Sequence, residues 1–139
     1  MQPPVTIGGR RRALPSPGVL RGLIALVWLY QGLWLKLLLA SKDQTAVVEA
    51  VTGLTGPAAG AALAAIGVVE TGLALWVLGG CRPVAAAAVQ TALLVAMNGA
   101  GIIFARQAIP DPAGMVIGNL IFLGLAWCAA VSRVDEDGP

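Results

Sequence analysis

The sequence lacks histidine altogether and contains only two cysteines, Cys81 and Cys128, among its 139 residues. Histidine is the commonest general base, proton shuttle and axial haem ligand, so none of these roles has its usual candidate. The cysteines do not form a C-x-x-C pair, and therefore no redox motif or zinc site is readable. No glycine-rich phosphate loop follows a strand pattern either. These absences favour a non-enzymatic function and indicate no cofactor.

Charged residues are also scarce, at 12% of the chain, whereas 58% of the chain is hydrophobic. An ordinary soluble domain carries about 25% charged residues. A soluble fold of this size would therefore expose large apolar patches. This composition excludes a soluble enzyme, a nucleic-acid-binding domain and a disordered chain, and the net charge of +2 indicates no polyanionic partner. The sequence predicts an integral membrane protein whose main surroundings are the lipid bilayer.

Four apolar runs are long enough to cross a bilayer, which takes about 20 residues in a helix. They are residues 22–40, 58–80, 84–105 and 113–131. None alternates between apolar and polar residues as a transmembrane β-strand does. Between the first two runs, segment 43–54 has one apolar helical face, which is typical of a helix lying on a membrane surface. We predict an all-α fold: an integral membrane four-helix bundle with a short amphipathic surface helix between the first and second spans.

The chain divides into a disordered cytoplasmic N-terminus (1–18), a transmembrane domain (19–132) and an acidic cytoplasmic tail (133–139). Lysine and arginine near span ends mark the cytoplasmic side of a membrane protein. Six arginines lie on one predicted side of the membrane: Arg10, Arg11, Arg12, Arg21, Arg82 and Arg133. Both termini are therefore predicted to be cytoplasmic. The first run exceeds the 7–15 apolar residues of a secretory signal, so we expect it to remain as a helix.

Several polar side chains interrupt the apolar runs, and a charge at the centre of a membrane helix costs about 3 kcal/mol or more. Their depths can be estimated from the predicted outer ends of the spans at ~1.5 Å per residue. By this estimate, five of them lie in one band between the outer membrane surface and the midplane. They are Lys36, Asn119, Asn98, Gln31 and Glu70, and Trp28 is level with Glu70. We predict that these six residues form a ligand-binding or otherwise functional cluster.

Each member of this cluster also has a structural interpretation. Lys36 either extends outward to the membrane surface or stretches inward to Glu70, from which the helix rise separates it by ~12 Å. The amides of Gln31, Asn98 and Asn119 either bond between helices or contact a ligand, and Trp28 either fills the core or lines a pocket. Glu70 is the strongest functional candidate, because carboxyl groups inside membranes usually have a function.

Five further polar or reactive residues receive structural interpretations only. The two cysteines are predicted to be small apolar fillers. Arg106 and Asp111 are predicted to pair within a loop, and Gln90 lies alone in the inner half of the third span.

Two motifs resemble those of a known family. The run W-L-Y-Q-G-L-W-L-K at 28–36 resembles the first-helix signature of DoxX-like membrane proteins, in which a lysine follows a Tyr/Gly pair. The run G-V-V-E-T-G at 67–72 is similar to the G-x-x-E-x-G pattern of the family's second helix. Asn98 and Asn119 also look like family positions, and the resemblance runs from about residue 21 to residue 130.

The resemblance implies the same four-helix plan with an outer surface segment, in a bacterial plasma membrane. DoxX-like proteins are associated with a terminal quinol oxidase, with thiosulfate:quinone oxidoreduction and with redox-homeostasis complexes. The resemblance therefore implies an accessory subunit or a small-molecule-binding module of a membrane redox system, with a quinone as a candidate ligand. The partner would be another subunit of that system or a second copy of this chain, since Gly114 and Gly118 have the spacing of a helix-dimer face. The alternatives are a proton-coupled transporter that uses Glu70 and a purely structural subunit.

Overall fold

The computed structural model describes residues 15–136, with side chains through residue 132. Over these residues the chain is helical and contains no strand. The five α-helices are α1 (Pro17–Leu29), α2 (Lys42–Thr52), α3 (Gly56–Gly79), α4 (Pro83–Phe104) and α5 (Pro112–Glu136). A π-helical segment, Tyr30–Leu38, continues α1 without a break, and a 3₁₀ turn, Arg106–Ala108, follows α4.

Proline and glycine determine where these helices begin and end. Proline occupies the first turn of α1, α3 and α4, where its missing N–H requires no partner. At the start of α1, the Ser16 side chain also accepts a 3.4 Å hydrogen bond from the Val19 N–H. Gly53 ends α2 and Gly80 ends α3, each in the left-handed conformation that glycine adopts without strain.

Four helical stretches are long and apolar enough to cross a membrane: Pro17–Leu38, Gly56–Gly79, Pro83–Phe104 and Pro112–Ser132. They coincide with the four predicted spans, and α2 occupies the segment predicted as the surface helix. Large apolar side chains cover the outside of the bundle, as in Leu26 at 60% exposure and Ile103 at 72%. The fold is therefore the predicted all-α bundle of an integral membrane protein, since such a surface suits lipid and not water.

The four spans enclose two different interiors. Near the α3–α4 loop, alanine-rich faces pack into a solid core that includes Ala25, Ala74 and Ala126. Small residues of this kind allow membrane helices to approach closely. At the other end of the bundle, which we call the α2 end, α2 lies across α3, α4 and the 3₁₀ turn. The helices at the α2 end enclose open space, which forms the candidate site.

The predicted terminal segments fall mostly outside the described residues. Of the N-terminal segment 1–18, residues 1–14 lie outside them, and α1 begins at Pro17. Of the tail 133–139, residues 133–136 continue α5 and the last three lie outside.

The predictions for the two cysteines and for an Arg106–Asp111 pair are wrong. Cys81 and Cys128 are both exposed and fill no core space, because Cys81 lies in the α3–α4 loop and Cys128 on the outer face of α5. Arg106 and Asp111 do not pair within the described residues. Asp111 Oδ1 instead accepts a 2.9 Å hydrogen bond from the Gly114 N–H and caps α5, which has unpaired N–H groups in its first turn.

Candidate functional site

A cavity of about 270 Å³ lies at the α2 end of the bundle. Its walls come from all four spans, and α2 with residues 108–110 lies over it. All six side chains of the predicted cluster line this cavity: Trp28, Gln31, Lys36, Glu70, Asn98 and Asn119. All six therefore face one space inside the bundle, and the bonds that they form decide between the alternatives left open by the sequence.

Lys36 and Glu70 form a buried ion pair on the cavity wall. Lys36 Nζ donates to Glu70 Oε2 at 2.7 Å and to Oε1 at 3.0 Å. It also donates to the Gln31 backbone carbonyl at 3.4 Å. The two residues are only 4% and 1% exposed. Of the two interpretations of Lys36, the inward one is therefore correct.

This pair forms because the first span and α3 pack closely. The two helices are also shifted along their axes relative to the positions that their predicted ends suggested. A Cβ atom placed on Gly67 would lie 3.0 Å from Lys36 Cβ, so Lys36 is level with Gly67, one turn from Glu70. The estimated 12 Å offset was wrong because it assumed that both helices end at the same height. In fact α3 extends past the end of the first span and contacts α2 there.

Gly32 and Gly67 permit this close approach. A Cβ atom on Gly32 would lie 2.8 Å from both the Gly67 carbonyl oxygen and Glu70 Cβ, closer than atoms can pack. The first span is π-helical at this point, with wider turns closed by i→i+5 hydrogen bonds. Such segments occur frequently at functional sites. The glycine contact and the π-helical segment together hold the lysine against its carboxylate.

An amide pair forms the opposite wall. Asn119 Nδ2, from α5, donates a 2.9 Å hydrogen bond to Asn98 Oδ1, from α4. Both side chains are half-buried. Gln31, on the first span, also lines the cavity, and within residues 15–132 its side-chain amide has no hydrogen-bond partner. The predicted helix-to-helix bond is therefore present for the two asparagines, at a place where both also face open space.

Trp28 both fills the core and lines the cavity. Its indole Nε1 donates to Gln90 Oε1 at 2.9 Å, and its ring meets Phe122 edge-on with centroids 5.8 Å apart. Gln90 Nε2 in turn donates to the Ala86 carbonyl at 3.1 Å. The expectation that Gln90 stands alone is thus wrong, because the indole reaches towards the solid core and meets it.

The apolar part of the lining was not predicted from the sequence. Leu94, Met97 and Gly101 share the helical face of Asn98, and Met115 and Phe122 share that of Asn119. The 3.6-residue period could have identified these residues once the asparagines had been placed. Asp43 and Gln44 of α2 also line the cavity, and no signal in the sequence pointed to them, since they are ordinary polar residues of a surface helix.

The lining of the cavity combines apolar surface with a few polar groups. An apolar cavity with a few convergent polar groups is the usual form of a small-molecule site. The two charges neutralise each other, and the amides supply hydrogen-bond donors and acceptors. Across the residues that the structure describes, no group of three histidine, cysteine or acidic side chains could hold a metal ion.

Four apolar spans around a cavity with a buried ion pair define a small helical integral membrane protein. The chain belongs to the DoxX-like family, whose family model matches residues 25–127. The matched region contains all six predicted site residues and most of the four spans. No curated protein and no solved structure matches the chain.

Proposed function

We propose that this DoxX-like protein binds a small, largely apolar molecule in the cavity at its α2 end. It serves as a small-molecule-binding module or accessory subunit of a membrane redox system, and a quinone is the candidate ligand. The observation that carries the proposal is the cavity of about 270 Å³, in which six polar or aromatic side chains converge inside an otherwise apolar bundle.

The size and lining of the cavity agree with a ring-sized ligand. Small-molecule sites usually enclose about 300–1,000 Å³, and this cavity lies close to the lower end of that range. Met97 and Phe122 offer soft and flat apolar surface, while the ion pair and the amides could contact the oxygens of a ring. A long apolar tail would then extend between the spans into the lipid.

The charges favour a neutral ligand. Lys36 and Glu70 already satisfy each other with two short hydrogen bonds. A charged ligand would have to separate them or remain unpaired in a medium of low dielectric constant, and either outcome is costly. Quinones and comparable ring compounds carry no charge, so they meet this requirement.

The setting that we propose is a bacterial plasma membrane, with both termini in the cytoplasm and the α2 end facing outward. The arginines near the span ends support this orientation, because positive residues concentrate on the cytoplasmic side. The proposed partner is another subunit of the redox system or a second copy of this chain.

Native mass spectrometry of the protein, gently extracted from its own membrane, tests the binding proposal. The wild type should carry a small molecule whose occupancy is lower in Glu70→Gln and in Asn98→Ala. Gln107→Ala is the matched control, since it removes an exposed amide that does not line the cavity. If the wild type carries no small molecule, or if both cavity variants retain it fully, the binding proposal fails.

The same experiment addresses the structural alternative. A wild type without ligand that remains bound to a second polypeptide, also in the cavity variants, would make the protein a structural subunit. The transport alternative requires Glu70 to exchange protons while it is bonded to Lys36. Uptake into liposomes that follows a pH gradient and depends on Glu70 would support that alternative over simple binding.

A further inference from the structure

We infer that Asn98 and Asn119 are the specificity-determining residues of this site. They select a neutral ligand group that both donates and accepts a hydrogen bond, such as a hydroxyl or a carboxamide, over a group that only accepts. The inference rests on the proposed binding function and concerns which chemical form of the ligand is bound.

The single bond between the two amides leaves one NH₂ group and one carbonyl oxygen without any partner among the described residues. Each asparagine side chain has an NH₂ group and a carbonyl oxygen. Asn119 Nδ2 bonds Asn98 Oδ1 at 2.9 Å, and no second bond closes the pair within residues 15–132. The free groups are therefore the Asn98 NH₂ and the Asn119 oxygen. Exchanging oxygen and nitrogen in both amides would still leave one donor and one acceptor.

These two free groups belong to residues that face the cavity from neighbouring helices. A hydroxyl group placed between them can accept from the NH₂ group and donate to the oxygen. A carbonyl or an ether oxygen can only accept, and it would leave the Asn119 oxygen unpaired on the wall of a filled cavity. An unpaired polar group away from water costs more than an average hydrogen bond contributes.

The ion pair and the tryptophan of the bundle do not offer this combination. Lys36 and Glu70 are bonded to each other. The single indole donor of Trp28 is used by Gln90, and Gln90 uses its own NH₂ group on the Ala86 carbonyl. Within residues 15–132, Gln31 and Gln44 also present unbonded amides to the cavity, but of these four lining amides only the two asparagines are bonded to each other and so held in position. The selection therefore rests on the asparagine pair.

Three forms of one ring compound test the inference. The probes are a short-chain benzoquinone, its hydroquinone and the dimethyl ether of that hydroquinone. The hydroquinone donates and accepts, whereas the quinone and the ether only accept. Their dissociation constants are measured by calorimetry under anaerobic conditions, with the purified full-length protein in lipid nanodiscs. We expect the hydroquinone to bind about fivefold more tightly than either other form.

The double variant Asn98→Leu/Asn119→Leu should abolish this preference and bind all three forms alike. Replacing both partners of a bond by apolar side chains is nearly neutral for folding, so the variant should remain intact. Thr91→Val is the matched control. It removes the other side-chain bond between α4 and α5, the 3.0 Å contact from Trp127 Nε1 to Thr91 Oγ1, which lies outside the cavity. This control should keep the fivefold preference.

Two failures can be told apart. If the wild type binds all three forms equally, or if the preference survives in the double variant, the inference is overturned while the proposed binding function stands. If no form binds and the extracted protein also carries no ligand, the proposed function falls, and the inference falls with it.

Discussion

At the scale of single residues, the Lys36–Glu70 pair allows the sharpest test of the interior. The variant Lys36→Met leaves a carboxylate buried without its cation, and we expect the free energy of unfolding to fall by about 3–5 kcal/mol. The double variant Lys36→Met/Glu70→Met removes both charges and should recover most of that loss, because apolar residues of similar volume replace buried pairs well. Reversible unfolding in mixed micelles measures both effects.

The control for this cycle is Lys42→Met, which removes a lysine that is exposed at the start of α2. Its unfolding free energy should stay within about 0.5 kcal/mol of the wild-type value. A Lys36 variant no less stable than this control would contradict the buried pair. The pair would also be contradicted if the double variant lost as much unfolding free energy as Lys36→Met and Glu70→Met lose together when each is measured alone.

The sequence was sufficient to identify the polar residues of the site but not their partners. Lys36, Glu70 and the asparagines stand out because each interrupts an apolar run and must be satisfied inside the membrane. Their partners depend on how far each helix is shifted along its axis, and helix ends estimated from the sequence do not give that shift. For this reason the predicted distance from Lys36 to Glu70 is too long, and the sequence does not show that Gln90 bonds Trp28.

At the scale of helices, the contact between the first span and α3 depends on one glycine pair. We expect Gly67→Ala to lower the free energy of unfolding by about 1–3 kcal/mol, because the added Cβ would lie 2.9 Å from the Gly32 carbonyl oxygen. Gly60→Ala tests the same helix at a position with open space around it. It should cause no loss, or a gain of up to about 1 kcal/mol, since alanine is the better helix former. Equal effects of the two substitutions in the unfolding assay would contradict this helix contact.

Helix positions were predictable from apolar runs and proline, but the π-helical segment was not. Residues 33–38 are apolar on almost every side, with Lys36 as the exception, so their pattern contains no period that could distinguish one helical form from another. The small residues of α3 also do not show by their spacing which of them lie at a helix contact. A Cβ atom on Gly67 would collide with the first span, whereas a Cβ atom on Gly60 would meet nothing within 4 Å.

At the scale of the whole molecule, hydropathy was enough to predict four spans and a membrane environment. Hydropathy could not predict the cavity, because the cavity depends on how α2 and residues 108–110 lie across the end of the bundle. The buried Val48 on α2 and the contact between Gly101 and Ile109 fix that arrangement. Tertiary contacts of this kind leave no periodic signal in the sequence.

The two exposed thiols allow the proposed orientation in the membrane to be tested. Cys81 lies in the α3–α4 loop next to Arg82, so the positive-inside rule places it in the cytoplasm. In a Cys128→Ala background, a membrane-impermeant maleimide should leave Cys81 unlabelled in intact spheroplasts and label it after permeabilisation. The variant Cys81→Ser/Cys128→Ala/Gln107→Cys carries its single thiol at the α2 end and should be labelled before permeabilisation. The opposite labelling pattern would mean that the cavity lies in the cytoplasmic half of the membrane. Its ligand would then enter from the cytoplasmic leaflet.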